Sequence, residues 1–192
     1  MSQRNPDTAR HDTGLQVALD GCRAALERSR AETRSAFENR ALAYAYIYDE
    51  LGAEIGAERA AALMKRAIYR RGLEVGEQYG EAAEAGDLAE VARLFVDGSP
   101  AEGALFEPGV EETSPAGDRI VLRMTSCPLK DAWLAAGYSA EKTDLLCEIA
   151  AAVDEGTFEG AGLDLRFLDR QACAGSAKCL LELRVRVERP GI

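Results

Sequence analysis

The chain has 192 residues, 47% hydrophobic and 29% charged, which suits one globular domain with a substantial core. A net charge of −10 leaves no basic stripe to neutralise phosphates and argues against a nucleic-acid partner. The chain holds neither an apolar run of about 18 residues nor an apolar segment near its N-terminus, so the expectation is a cytoplasmic protein with no membrane span.

In chain order, residues 1–13 are polar and aperiodic and read as a disordered tail. His11, the one histidine, lies there, so Ser-His-Asp and Cys-His catalysis and His-rich zinc sites drop out unless the tail folds back. Acid–base work is left to Asp, Glu, Tyr, Lys or Cys. From Leu15 to about Glu38 apolar residues recur with helical spacing, and residues 14–36 read as an N-terminal helix preceding a single domain over 37–188. Cys22 belongs to that stripe as core or interface filler, and the helix is a candidate homodimer surface.

A second helix is expected from Ala41 to about Ile55. Tyr44, Ile47, Tyr48 and Leu51 share its buried face, where Tyr44 and Tyr48 are either core or the polar lining of a ligand site. A third helix, from Ala57 to about Ala85, carries Gly72, Gly76 and Gly80 at steps of four. Each glycine costs a helix on the order of 1 kcal/mol relative to Ala. A bare ridge therefore implies close approach, of another helix or of a ligand. Asp87 is a natural cap for a short helix reaching about Phe95.

Beyond it the chain changes character. Gly103–Gly117 is punctuated by Pro and Gly, with a strand expected near Ala104–Glu107. Alternating segments at Asp118–Thr125, Gly162–Asp169 and Lys178–Glu188 read as strands. The predicted fold is α+β: N-terminal helices on one face of an antiparallel sheet, with two helices inserted between strands.

The insertion, Ser126–Gly156, carries the candidate chemistry. Pro128 fits the first position of a helix, which makes Cys127 its N-cap, facing unpaired amides and the positive end of the dipole. Such a thiol ionises readily, and the thiolate is both nucleophile and metal ligand; the alternative is a small buried hydrophobe. Cys147, Ala151 and Asp154 fall along one line of the next helix, flanking its apolar stripe, and Cys179 faces inward at the start of the last strand. Three thiols and a carboxylate could hold a zinc-like ion. Cys173 is a loop thiol that could ligate or simply be exposed.

The order of these features resembles the L-2-amino-thiazoline-4-carboxylic acid hydrolase family over roughly residues 37 to 187. The matching stretches are Thr125-Ser126-Cys127-Pro128-Leu129, Leu145-Leu146-Cys147-Glu148 and Gly175-Ser176-Ala177-Lys178-Cys179, with Arg40-Ala41-Leu42-Ala43-Tyr44 and Ile68-Tyr69-Arg70-Arg71-Gly72 upstream. The architecture is also similar to V4R ligand-binding domains, some of which hold zinc through cysteines. Two positions depart from the family pattern: Ala150 replaces an Asp, with Asp154 one turn on, and Leu180-Leu181 replaces Asp-Phe.

The resemblance implies hydrolysis of a C–N bond in a carboxylated cyclic amidine. Cys127 would serve as nucleophile or metal ligand, completed by Cys147 and Cys179, with Asp154 or Glu148 moving protons. Arg70 or Arg123 would meet the substrate carboxylate, and Tyr44, Tyr48, Gly72 and Gly76 would line the substrate site. Alternatives are a small-ligand or metal-sensing domain without turnover, favoured by Ala150, and a tailoring enzyme on the same scaffold.

Overall fold

The computed structural model describes residues 6–172 and 175–186. Helix α1 spans Pro6–Ile55 without interruption. Residues 6–13, read from sequence as part of a disordered tail, are therefore helical, and the break expected near residues 39–40 is absent. Between Cys22 and Leu51 the chain contains neither Gly nor Pro, so nothing forces the helix to stop. The stop comes at Gly56, whose φ of 87° turns the chain into α2 (Ala57–Gly76).

The helix expected to reach Ala85 ends at Gly76. A 3₁₀ turn, Glu77–Tyr79, leads into the short α3 (Gly80–Glu84). Helix α4 (Leu88–Asp97) is capped by Asp87, whose carboxylate accepts the Glu90 amide at 2.9 Å. The stretch Ala104–Glu107 is not a strand. The amides of Phe106 and Glu107 both return to the Gly103 carbonyl, which closes a turn.

Strands β1 (Pro108–Thr113) and β2 (Arg119–Met124) follow as a hairpin. Helices α5 (Pro128–Ala135) and α6 (Ala140–Gly160) are inserted before β3 (Leu163–Asp169) and β4 (Cys179–Val185). The sheet is antiparallel throughout in the order β1-β2-β4-β3. The α+β architecture is therefore as the alternation and periodicity predict. Cys173 lies outside the described residues, as do 187 and 188 of the expected last strand.

Two apolar clusters hold the molecule together. One joins the sheet to α4 through Ile120, Leu122, Leu181, Leu183, Val91 and Phe158. The other joins α1, α2, α5 and α6 through Ala41, Ala45, Met64, Trp133, Leu146 and Ile149. Trp133 is buried, and its indole Nε1 donates to the Ala41 carbonyl at 2.7 Å, which anchors α5 on α1. Farther toward the N-terminus, α1 leaves Leu15, Val17, Leu19 and Leu26 exposed. Cys22 is exposed as well, so it is not core filler within this chain. Among the described residues no helix is long and apolar enough to cross a membrane.

The glycine ridge explains the tightest contact. A Cβ on Gly72 would lie 2.3 Å from the Val153 carbonyl oxygen, and one on Gly76 2.4 Å from that of Thr157. Across the crossing, a Cβ on Gly156 would lie 2.1 Å from the Tyr69 carbonyl oxygen. The glycines of α2 and α6 thus let two backbones touch. Gly80, the third member of the ridge, meets nothing within 4 Å. A clean contrast follows for chemical denaturation: Gly156→Ala should lose about 3 kcal/mol or more, because the clash is with backbone that cannot yield locally. Gly80→Ala should be neutral, or stabilising by up to about 1 kcal/mol.

Candidate functional site

On the other side of α6 from its buried stripe lies a cavity of about 360 Å³. Phe37 of α1, Phe95 of α4, Trp133 of α5 and Phe167 of β3 contribute apolar wall, together with Phe106 from the turn before β1. Phe106 is held in place because its carbonyl accepts the amides of Thr125 and Ser126, and its ring meets Phe37 edge-on with centroids 5.2 Å apart. Into this apolar space project Cys127, Cys147, Cys179 and Asp154. Four side chains from β4, α6 and the N-terminus of α5, separated by up to 52 positions in the chain, share one wall system.

Each reaches the cavity for a local reason. Cys127 is the N-cap of α5, with Pro128 following, and its Sγ accepts the Lys130 amide at 3.5 Å. Helix phase places Cys147, Ala151 and Asp154 on one side of α6, while Leu146 and Ile149 are fully buried on the other. Cys179 opens β4, is buried, and its Sγ accepts the Gln171 amide at 3.3 Å. Gln171 in turn donates to the Met124 carbonyl and accepts from Lys130 Nζ, tying β2, α5 and the β3–β4 connection together behind the thiols.

The electrostatics differ from what an N-cap alone predicts. Burial pushes the Cys127 thiol up, and the amides of Lys130 and Leu129 only partly offset it. Cys127 is therefore not the readily ionised thiol expected from its position. Burial, reinforced by the neighbouring Cys179 and Cys127 sulfurs, pushes Cys147 up to about 12. Burial likewise pushes Cys179 up to about 11. The same desolvation, with Glu155 adding to it and Arg40 opposing it, pushes the Asp154 carboxyl up to about 7. Among the described residues Asp154 is the one carboxyl lining the cavity. At neutral pH it is divided between its acid and base forms.

Other residues singled out in the sequence lie elsewhere. Gly72 and Gly76 face the backbone of α6 and do not line the cavity. Tyr48 is buried and Tyr44 packs beside it in the helical core, while Ile47, assigned to the same face, is exposed. Glu148 is outside the cavity, ion-paired with Lys65, which holds its carboxyl below the usual range. Arg70 is exposed on α2 and borders a shallow groove with Arg66. Arg123 lies on the sheet, donating to the Val110 carbonyl at 2.6 Å.

Arg40 is a cavity residue outside the set expected from the sequence. It lines the cavity, its guanidinium 4.2 Å from the centre of the Phe37 ring. Phe37, Arg40, Ala41 and Tyr44 follow the i, i+3, i+4, i+7 spacing, a signal hidden by placing a helix break between them.

Zinc does not fit this arrangement. Although three thiols and a carboxylate share the cavity, among the described residues no group of three or more His, Cys, Asp or Glu side chains is close enough together to hold a metal ion.

No curated protein matches the sequence. Among solved structures, a trafficking protein particle complex subunit 3 from Naegleria fowleri, covalently bound to palmitic acid, is similar over 79% of this chain and 96% of its own, with a TM-score of 0.54 at 12% identity. That likeness concerns the fold. The family model described as L-2-amino-thiazoline-4-carboxylic acid hydrolase matches residues 34–179, from the cavity-lining turn of α1 to Cys179 at the head of β4. The chain belongs to the L-2-amino-thiazoline-4-carboxylic acid hydrolase family.

Proposed function

We propose that this protein is a cysteine-dependent hydrolase that opens a C–N bond in a small carboxylated cyclic amidine. The observation that carries the reading is the convergence of Cys127, Cys147, Cys179 and Asp154 on one apolar cavity in a chain of this family. Because burial keeps the Cys127 thiol protonated at neutrality, it needs a base, and Asp154 titrates in the right range to be one. Cys127 Sγ adds to the amidine carbon as its proton passes to the Asp154 carboxylate. The same proton then moves to the ring nitrogen, which departs as an amine when its bond to that carbon breaks. Water, deprotonated by Asp154, releases the carbon from sulfur and restores the thiol.

Cys127 suits the nucleophile's role better than its neighbours, since the Lys130 and Leu129 amides stabilise the charge that develops on its sulfur. Cys147 and Cys179 shape the floor and keep it apolar. A second reading, a ligand-holding domain without turnover, draws support from the aromatic lining, from Ala150 in place of the family Asp, and from the structure of shared fold that carries palmitic acid covalently.

Two outcomes follow for assays with L-2-amino-thiazoline-4-carboxylate. Cys127→Ser should abolish turnover while keeping the fold, because Ser also caps helices; unaltered turnover in that variant removes Cys127 as the nucleophile, and no turnover in the parent favours the second reading. Asp154→Asn should lower kcat by about 10²–10⁴-fold and remove a rise in rate centred near pH 7.

The same substitution has a signature in stability. The folded pKa of Asp154, about 7, lies above its unfolded value, so the folded state binds the extra proton between the two. The parent therefore loses stability as pH rises toward 7. Relative to the parent, Asp154→Asn should gain on the order of 2 kcal/mol between pH 5 and pH 8, read by urea denaturation.

A further inference from the structure

Neither arginine that the sequence offered as a carboxylate anchor reaches the cavity. Arg70 is exposed on α2, and Arg123 is engaged with the Val110 carbonyl. Arg40 is on the cavity wall, exposed at the mouth. Among the described residues no carboxylate lies within 4.0 Å of it, and its guanidinium rests on the face of Phe37. That contact orients the planar guanidinium without using its N–H donors. Phe37 is itself fixed by the edge of Phe106, which the backbone of Thr125 and Ser126 holds. A cation is thus set on an aromatic support at the entrance of an apolar cavity, its hydrogen-bond fork unused.

Asp154, half-buried on the same cavity wall, has no hydrogen bond or ion pair among the described residues, and the charge of Arg40 is near enough to oppose the rise of its carboxyl. The two groups mark opposite charges along one cavity. We propose that Arg40 is the specificity-determining residue for the carboxylate of the ligand: its guanidinium takes the carboxylate at the mouth, while the amidine group, a two-donor cation when protonated, lies toward Asp154. This deepens the hydrolase reading and rests on it for the identity of the amidine end. The carboxylate end depends on Arg40 alone. A ligand with both groups is held at two points, so its electrophilic carbon is fixed between them; removal of either group leaves the carbon free to turn.

The test compares three probes by calorimetry on the full-length protein: L-2-amino-thiazoline-4-carboxylate, 2-amino-thiazoline without the carboxylate, and thiazolidine-4-carboxylate without the amidine. The parent should bind the first about tenfold or more tightly than the second. Arg40→Gln should abolish that preference, leave the affinity for 2-amino-thiazoline within about twofold, and lose thiazolidine-4-carboxylate. Arg40→Lys should recover part of the preference, since an ammonium supplies charge without the fork.

If Arg40→Gln and Arg40→Lys both keep the parental preference, the assignment is overturned, whether or not the parent turns over its substrate. Carboxylate preference lost in Arg40→Gln but with no turnover in the parent supports the assignment and removes the hydrolase reading. Failure of the parent to prefer any carboxylate overturns the assignment as well.

Discussion

Backbone-to-backbone contact between α2 and α6 is the constraint on which the site depends. Gly72 and Gly76 on one helix and Gly156 on the other leave no room for a Cβ, so the helices can approach only in this register and at this rotation. Fixing α6 about its axis fixes which residues face away from α2. Leu146, Ile149 and Ala152 go to the helical core, and Cys147, Ala151 and Asp154 go to the cavity. A different rotation would put a carboxylate into the core and a leucine into the site. The glycines shape the cavity through helix packing alone.

Around that axis the remaining elements converge for their own reasons. Trp133, bonded to the Ala41 carbonyl, sets α5 against α1 and so points its N-terminus, with Cys127, at the cavity. Antiparallel pairing of β2 with β4 brings Cys179 opposite Met124, beside the chain that leads to Cys127. The site is then a competition between a helix terminus, which favours a thiolate, and an apolar enclosure, which opposes it. Enclosure wins at all three thiols and at Asp154. Under the proposed hydrolase reading, a pre-formed thiolate would need no base, whereas a protonated thiol sharing a cavity with a carboxyl that titrates near neutrality calls for proton transfer coupled to attack.

Much of this was legible in the sequence because local periodicity carried it. Alternation located β2, β3 and β4, and the 3.6-residue repeat placed Cys147 and Asp154 on one side of a helix. Pro128 identified Cys127 as a cap. What was hidden depended on tertiary context. Nothing in Ala104–Glu107 distinguishes a strand from a turn until the Gly103 carbonyl collects two amides. The spacing of Gly72 and Gly76 implied close approach, but only the position of α6 decides between a helix and a ligand. The acidity of Cys127 could not be read from its cap position, because desolvation arises from residues distant in the chain. Arg40 was obscured by a misplaced helix boundary, although its spacing from Phe37 was present in the sequence.

The central claim is that Cys127 forms a covalent bond to the amidine carbon during hydrolysis. The most direct measurement is rapid acid quench of the protein during turnover of L-2-amino-thiazoline-4-carboxylate, followed by intact-mass analysis and peptide mapping. The account predicts a transient adduct confined to the peptide that contains Cys127, decaying as product appears. Turnover with no adduct at any time, or with the adduct on Cys147 or Cys179 and Cys127 unmodified, would contradict it.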